Sequence, residues 1–195
     1  MKLPPLILAS ASPRRAELLR QLNLKFEVVP GDATETFDGQ LSPLELCQLN
    51  AHRKARAVAK MIPDALVLGA DTLVFLGRDI FGKPRDLDEA KFMLTRLQGR
   101  MHQVVTGVSL IHLRGHRERI FAVSTDVKFR PLSAEQISGY LSTINPLDKA
   151  GAYAIQEHGD KIVEEISGSR SNVVGLPLER LREELSAYGS STATR

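Results

Sequence analysis

With 195 residues the chain can bury one substantial core, so a single domain over residues 1–195 is expected, in one lobe or two. A composition of 43% hydrophobic and 25% charged residues excludes disorder, and a net charge of +3 on scattered bases argues against a nucleic-acid groove. The lone cysteine, Cys47, excludes an intramolecular disulfide and any CxxC metal site, and fits a reducing, cytoplasmic compartment.

In chain order, Leu6-Ile7-Leu8-Ala9 reads as a short buried strand. The first residues mimic a signal peptide, but the apolar stretch is too short and follows Pro4-Pro5, and no run reaches membrane-spanning length. Ser12 as N-cap and Pro13 at the first helical position open a helix with Ala16, Leu18, Leu19 and Leu22 on its apolar face. Residues 26–29 read as a strand and 30–40 as a loop. Ser42-Pro43-Leu44-Glu45 has the form of a capping box, opening a helix with Leu46, Leu49, Ala55, Val58, Ala59 and Ile62 on its apolar side. Cys47 falls inside that helix as a small buried residue. Residues 65–76 form a β-rich run broken at Gly69-Ala70-Asp71, and Gly77-Arg78-Asp79 marks a hairpin turn.

Asp86 and Glu89 cap the next helix, which ends at Gly99. Two long strands, 103–113 and 119–132, meet at Arg114-Gly115. Ser133 and Gln136 cap a helix over 134–144, a Pro/Gly-rich loop follows over 145–153, and residues 161–166 form a strand. Residues 168–177 then turn into a final helix over 178–188, and the last residues form a frayed tail. Interleaved strands and helices give an α/β class, and two long strands in succession require a mixed sheet.

Several segments carry chemistry. A helix's first turn holds partial positive charge and prefers acids, yet here it carries Arg14 and Arg15. Backbone N–H groups, the Ser10 and Ser12 hydroxyls and two guanidiniums suit a phosphate, although Arg14 and Arg15 could equally be surface residues paired with Glu17 or another carboxylate. Residues 77–84 nearly match a phosphate-binding P-loop, but Pro84 has neither the hydroxyl nor the N–H that motif needs. Lys83 is then a phosphate contact without the loop.

Asp71 is a carboxylate in an apolar strand, costly unless a metal, a cation or catalysis holds it, with a turn-capping role as the plain alternative. Glu35, in the polar loop, is a natural second acid, and Lys54 lies where a helix could turn it inward. Two carboxylates among cations are what divalent-metal-assisted attack on a phosphoanhydride requires. His112 and His116 flank a hairpin turn and are not a metal pair. His52, His102 and His158 stand apart, with surface or internally satisfied roles. Aromatic residues are only 5% of the chain, which leaves few platforms for stacking on nucleic acid.

Taken together, the segments at 8–15 (LASASPRR), Glu35, Lys54, 69–72 (GADT), 82–84 (GKP), 102–107 (HQVVTG), 146–156 (PLDKAGAYAIQ) and 171–178 (SNVVGLPL) resemble the Maf family of nucleoside-triphosphate pyrophosphatases. The resemblance runs in order over almost the whole chain. It implies an elongated mixed β-sheet flanked by helices, two lobes around a cleft of inosine-triphosphatase-like type, and homodimer formation. It further implies a Mg²⁺- or Mn²⁺-dependent hydrolase cutting a nucleoside triphosphate between its α- and β-phosphates. By this resemblance Asp71 is the catalytic acid and, with Glu35, holds the metal, while Ser10, Ser12, Arg14, Lys54 and Lys83 bind phosphates.

Arg15, Thr72 and Gln156 are similar to the branch acting on dTTP and UTP rather than the sister branch acting on 7-methyl-GTP. Gln156 suits a pyrimidine edge, because an amide both donates and accepts. Thr34 stands where the family often has an acid, and Ala154 and Glu157 stand where glycines are frequent, which would tighten a base pocket. A regulatory nucleotide-binding role in septum formation, associated with the Maf name, is the rival from another class.

Overall fold

The computed structural model describes residues 3–31, 33–34, 36 and 40–190. Glu35 and the last five residues of the expected tail lie outside the described residues. The strands are β1 (Leu6–Leu8), β2 (Phe26–Val28), β3 (Leu66–Leu76), β4 (Asp79–Phe81), β5 (Met101–His112), β6 (Arg117–Phe129) and β7 (Val163–Ser167). The helices are α1 (Pro13–Arg20), α2 (Pro43–Met61), α3 (Leu87–Leu97), α4 (Ala134–Leu141), α5 (Arg170–Val174) and α6 (Leu178–Ser190). The strands form one mixed sheet in the order β2-β1-β3-β5-β6-β7, with β4 on β3. β1 runs parallel to β2 and β3, whereas β3–β4 and β6–β7 are antiparallel.

The helix starts follow the expected caps with two exceptions. Ser42 and Glu45 form the reciprocal box at α2, and Ser133 with Gln136 does the same at α4. Asp86 accepts from the Glu89 N–H at 2.8 Å, but the Glu89 carboxylate turns back to Arg85 instead of closing a box. Ser12 holds the N-cap position of α1, yet its side chain makes no capping bond, and its own N–H donates to Ser10 Oγ at 3.2 Å.

Other expectations need correction. β3 is one continuous strand of 11 residues and does not break at Gly69-Ala70-Asp71. Leu22 lies beyond the end of α1, and Leu49 and Ile62 are exposed because α2 turns Cys47, Asn50 and Ala51 inward instead. α4 stops at Leu141, and 170–174, expected as part of a turn, forms the short helix α5. The 145–153 loop contains short 3₁₀ turns at Pro146–Asp148 and Ala150–Ala152.

The chain divides into two compact units. The first comprises residues 1–71, 106–123 and 175–195, and the second 72–105 and 124–174. In the first, Ile7, Ala9, Ala55, Val58, Val67 and Ile111 belong to a core between α2 and the sheet. In the second, Phe81, Leu94, Leu97, Phe129, Ile137 and Tyr153 are part of a separate core.

α2 packs unusually close to the strands. A Cβ at Gly69 would meet the carbonyl of Ala51 and come within 2.7 Å of Ala55 N and 2.8 Å of Ala55 Cβ. At Gly107 it would strike the Cys47 carbonyl. Glycine here serves close backbone approach rather than a turn. The approach sets the helix directly over Asp71.

Candidate active site

Within the first unit, Asp71 sits in the middle of β3 and is only 3% exposed. A buried carboxylate is costly unless charge and hydrogen bonds compensate it, and α2 supplies both. Lys54 Nζ donates to Asp71 Oδ1 at 2.6 Å. Asn50, one helical turn earlier, donates from Nδ2 to Asp71 Oδ2 at 3.1 Å. Each carboxylate oxygen therefore takes one donor from α2 and keeps further acceptor capacity. The turn-capping alternative for Asp71 does not hold, because the residue lies inside the strand with its side chain paired to α2.

Asn50 escaped the sequence reading. It is 1% exposed, and besides Asp71 it pairs with the backbone of Thr36: Nδ2 donates to Thr36 O at 3.1 Å and Oδ1 accepts from Thr36 N at 2.9 Å. The available signal was an amide on the buried face of α2, four residues before Lys54.

Ser10 and Arg15 belong to a second set of polar contacts in this unit. Ser10 Oγ accepts from Ser12 N and from Arg15 Nη1, both at 3.2 Å, and Arg15 Nε donates to Gly175 O at 2.9 Å. Arg15 thus tethers the start of α1 to the segment before α6. Arg14 is half-buried in the first turn of the same helix.

The second unit holds Thr72, Lys83 and Gln156. Lys83 is exposed just after β4, and Gly82 O before it accepts from Gly151 N at 3.0 Å, which joins that segment to the 145–153 loop. Gln156 is exposed, but the chain around it is firmly held. Tyr140 Oη accepts from Ala154 N and donates to Ala154 O, both at 3.1 Å, and Arg170 Nη2 donates to Ile155 O at 3.4 Å. Burial pushes the Tyr140 hydroxyl up to about 12, so it stays protonated in this clamp.

Beneath the loop, the 5% exposed Lys149 donates to Asn145 O and Asp148 Oδ1, both at 2.8 Å, and faces Glu157 Oε1 at 3.3 Å. The departure at 157 thus brings a side chain that anchors the loop, whereas the bonds at 154 are ones a glycine backbone would also make. Ala154 is held through its backbone, and Glu157 pairs with a buried ammonium.

The histidines have local duties. His102 is 2% exposed, with Nε2 at 2.9 Å from Tyr153 Oη and edge-on contacts to Phe129 and Tyr153. Burial lowers its pKa to about 4, so the ring is neutral at neutral pH. His112 Nδ1 lies 2.7 Å from Tyr188 Oη. His52 pairs with Glu118 at 2.6 Å. No group of three or more metal-ligating side chains occurs among the described residues.

Residues 5–188 match the Maf family model, described as a Maf-like protein. The chain belongs to the Maf family. Similar Maf relatives include proteins named dTTP/UTP pyrophosphatase from three organisms. That of Symbiobacterium thermophilum is 50% identical over 184 residues, covering 94% of each chain. That of Syntrophus aciditrophicus is 48% identical over 187 residues, covering 96% of this chain and 91% of the relative. That of Myxococcus xanthus is 52% identical over 174 residues, covering 89% and 87% respectively. Among solved structures, a HAM1 protein from Coxiella burnetii is similar at a TM-score of 0.47 and 17% identity, over 65% of this chain and 73% of that one. Among the described residues, no helix is long and apolar enough to cross a membrane.

Proposed function

We propose that this Maf protein hydrolyses dTTP and UTP to the nucleoside monophosphate and pyrophosphate. The observation that carries the reading is the buried carboxylate of Asp71, held on both oxygens by Lys54 and Asn50, in a chain whose relatives bear that activity in their names. Water supplies the new oxygen on phosphorus, the α–β bridging bond breaks, and pyrophosphate leaves. Asp71 accepts the water's proton or orders the water, because its oxygens keep lone pairs beyond those committed to α2. Lys54 offsets negative charge beside it. Ser10, Ser12, Arg14 and Lys83 are assigned to phosphates, and Arg15, Thr72 and Gln156 to choosing the nucleotide.

A divalent cation, Mg²⁺ or Mn²⁺, belongs to the same proposal. Mg²⁺ is usually held by one or two carboxylates together with substrate phosphates and waters, and the hard oxygens of Asp71 fit one such position. Glu35 is the second acid assigned to it. When bound, the ion would offset charge on the phosphates. The proposal also takes the protein to be cytoplasmic, to act on free nucleotides rather than nucleic acid, and to form a homodimer.

The test is a nucleoside-triphosphate panel with Mg²⁺ and product identification. dTTP and UTP should give the monophosphate and pyrophosphate, and Asp71→Asn should lower kcat about 10²–10⁴-fold. Release of orthophosphate with dTDP would overturn the assigned bond, and a preference for 7-methyl-GTP would overturn the assigned base.

A further inference from the structure

We infer that Asn50 is a positioning residue for the Asp71 carboxylate, and that it couples that carboxylate to the backbone of Thr36. The inference rests on Asp71 as the reacting carboxylate. Its own grounds are the bonds Asn50 makes. A primary amide buried to 1% exposure on a core-facing helix is expensive unless its polar atoms are matched, and an alkyl side chain would fill the same place more cheaply. Here the amide is matched by bonds at 2.9, 3.1 and 3.1 Å, to the N–H and O of Thr36 and to Asp71 Oδ2.

The consequence for Asp71 is rotational. The terminal torsion of an aspartate is broad, so one donor leaves the carboxylate plane free to swing. Lys54 fixes Oδ1 and Asn50 fixes Oδ2, from positions one helical turn apart on α2. Two donors on different oxygens, projected from one rigid element, define the plane. Thr36 follows Glu35 directly in the chain, and its N–H and O are both claimed by the same amide. The Thr36 backbone and the carboxylate are thereby registered against each other through one side chain. Lys54 cannot replace this function, since an ammonium donates only and could not accept from Thr36 N.

The experiment uses the full-length protein and Asn50→Leu, of similar size and without donors, with Asn50→Ser as a second variant should the first not fold. Steady-state kinetics with dTTP and Mg²⁺ are measured beside amide hydrogen exchange at Thr36 and along α2. The expected result is a fall in kcat of about 10–100-fold, the usual range for outer partners of a working carboxylate, with KM changed less than about threefold. Exchange at Thr36 accelerates while the amides of Val58 and Ala59 keep their protection. Unchanged kcat with fast exchange at Thr36 would overturn the inference and leave Asn50 a loop tether. Loss of protection along all of α2 in both variants would also overturn it, making Asn50 a fold residue. If the wild-type protein does not hydrolyse dTTP, the functional reading fails separately, and the Thr36 exchange alone decides whether Asn50 holds the loop.

Discussion

Lys54 and Asp71 meet with side chains only 13% and 4% exposed, so each offsets the other's charge out of water. Removing one partner of such a pair leaves the second charge buried and costs about 3–5 kcal/mol. Lys54→Met is therefore expected to destabilise the protein by about 3 kcal/mol, with kcat reduced as well. Urea unfolding of Lys54→Met, Asp71→Leu and the double variant checks this. The double variant should recover part of the loss, and simple addition of the two single losses would refute the coupling. Both residues were legible as ones of interest, Asp71 because a charge in an apolar strand stands out, and Lys54 because its place near the middle of the helix lets it turn inward. Their pairing was not, since 17 residues separate them and spacing alone does not say which helix face meets which strand. Asn50 left a weaker signal: an uncharged amide on the buried face of a helix marks an interior position without saying what it bonds.

At the scale of elements, α2 governs the site because it closes on β3 and β5 at two points where the strand carries no side chain. Gly69 and Gly107 make that possible, and neither is a turn glycine. The expectation of a break at Gly69-Ala70-Asp71 failed because a missing Cβ signals a turn and a tight helix contact in the same way. Gly69→Ala would push a methyl into the Ala51 carbonyl and the Ala55 side chain, both parts of a rigid helix. Overpacking of this kind costs about 1–3 kcal/mol, and the helix must lift to relieve it. The variant should melt several degrees lower and also lose kcat, because Asn50 and Lys54 retreat with their helix. Thermal denaturation and dTTP turnover measured together test this, and a destabilised variant with full kcat would show that the site does not depend on the depth of α2.

For the whole molecule, the α/β class followed from interleaved apolar runs and from capping residues such as Ser42, Glu45, Ser133 and Gln136, which act within one turn of chain. Strand order was not legible: β1 lies between β2 and β3, pairings set by long-range packing that no local signal encodes. Global stability should carry one acid-sensitive contribution from the second core. The unfolded chain binds a proton at His102 near the usual 6.5, whereas the folded chain refuses it until about 4 because the ring is buried. Stability from this group is complete above 6.5 and is lost as pH falls toward 4, by about 3 kcal/mol. His102→Gln should flatten that slope. Denaturant midpoints at pH 7 and pH 4.5 provide the comparison, and an unchanged slope would assign the acid sensitivity elsewhere.

α2 also carries the protein's lone thiol on its buried face. Cys47 is fully covered, with its backbone carbonyl where a Cβ on Gly107 would go. A disulfide reagent or alkylator can reach that sulfur only after α2 separates from the strand. The labelling rate of an unmodified sample is thus a clock for the opening of the surface that supports Lys54 and Asn50, readable without any engineered probe.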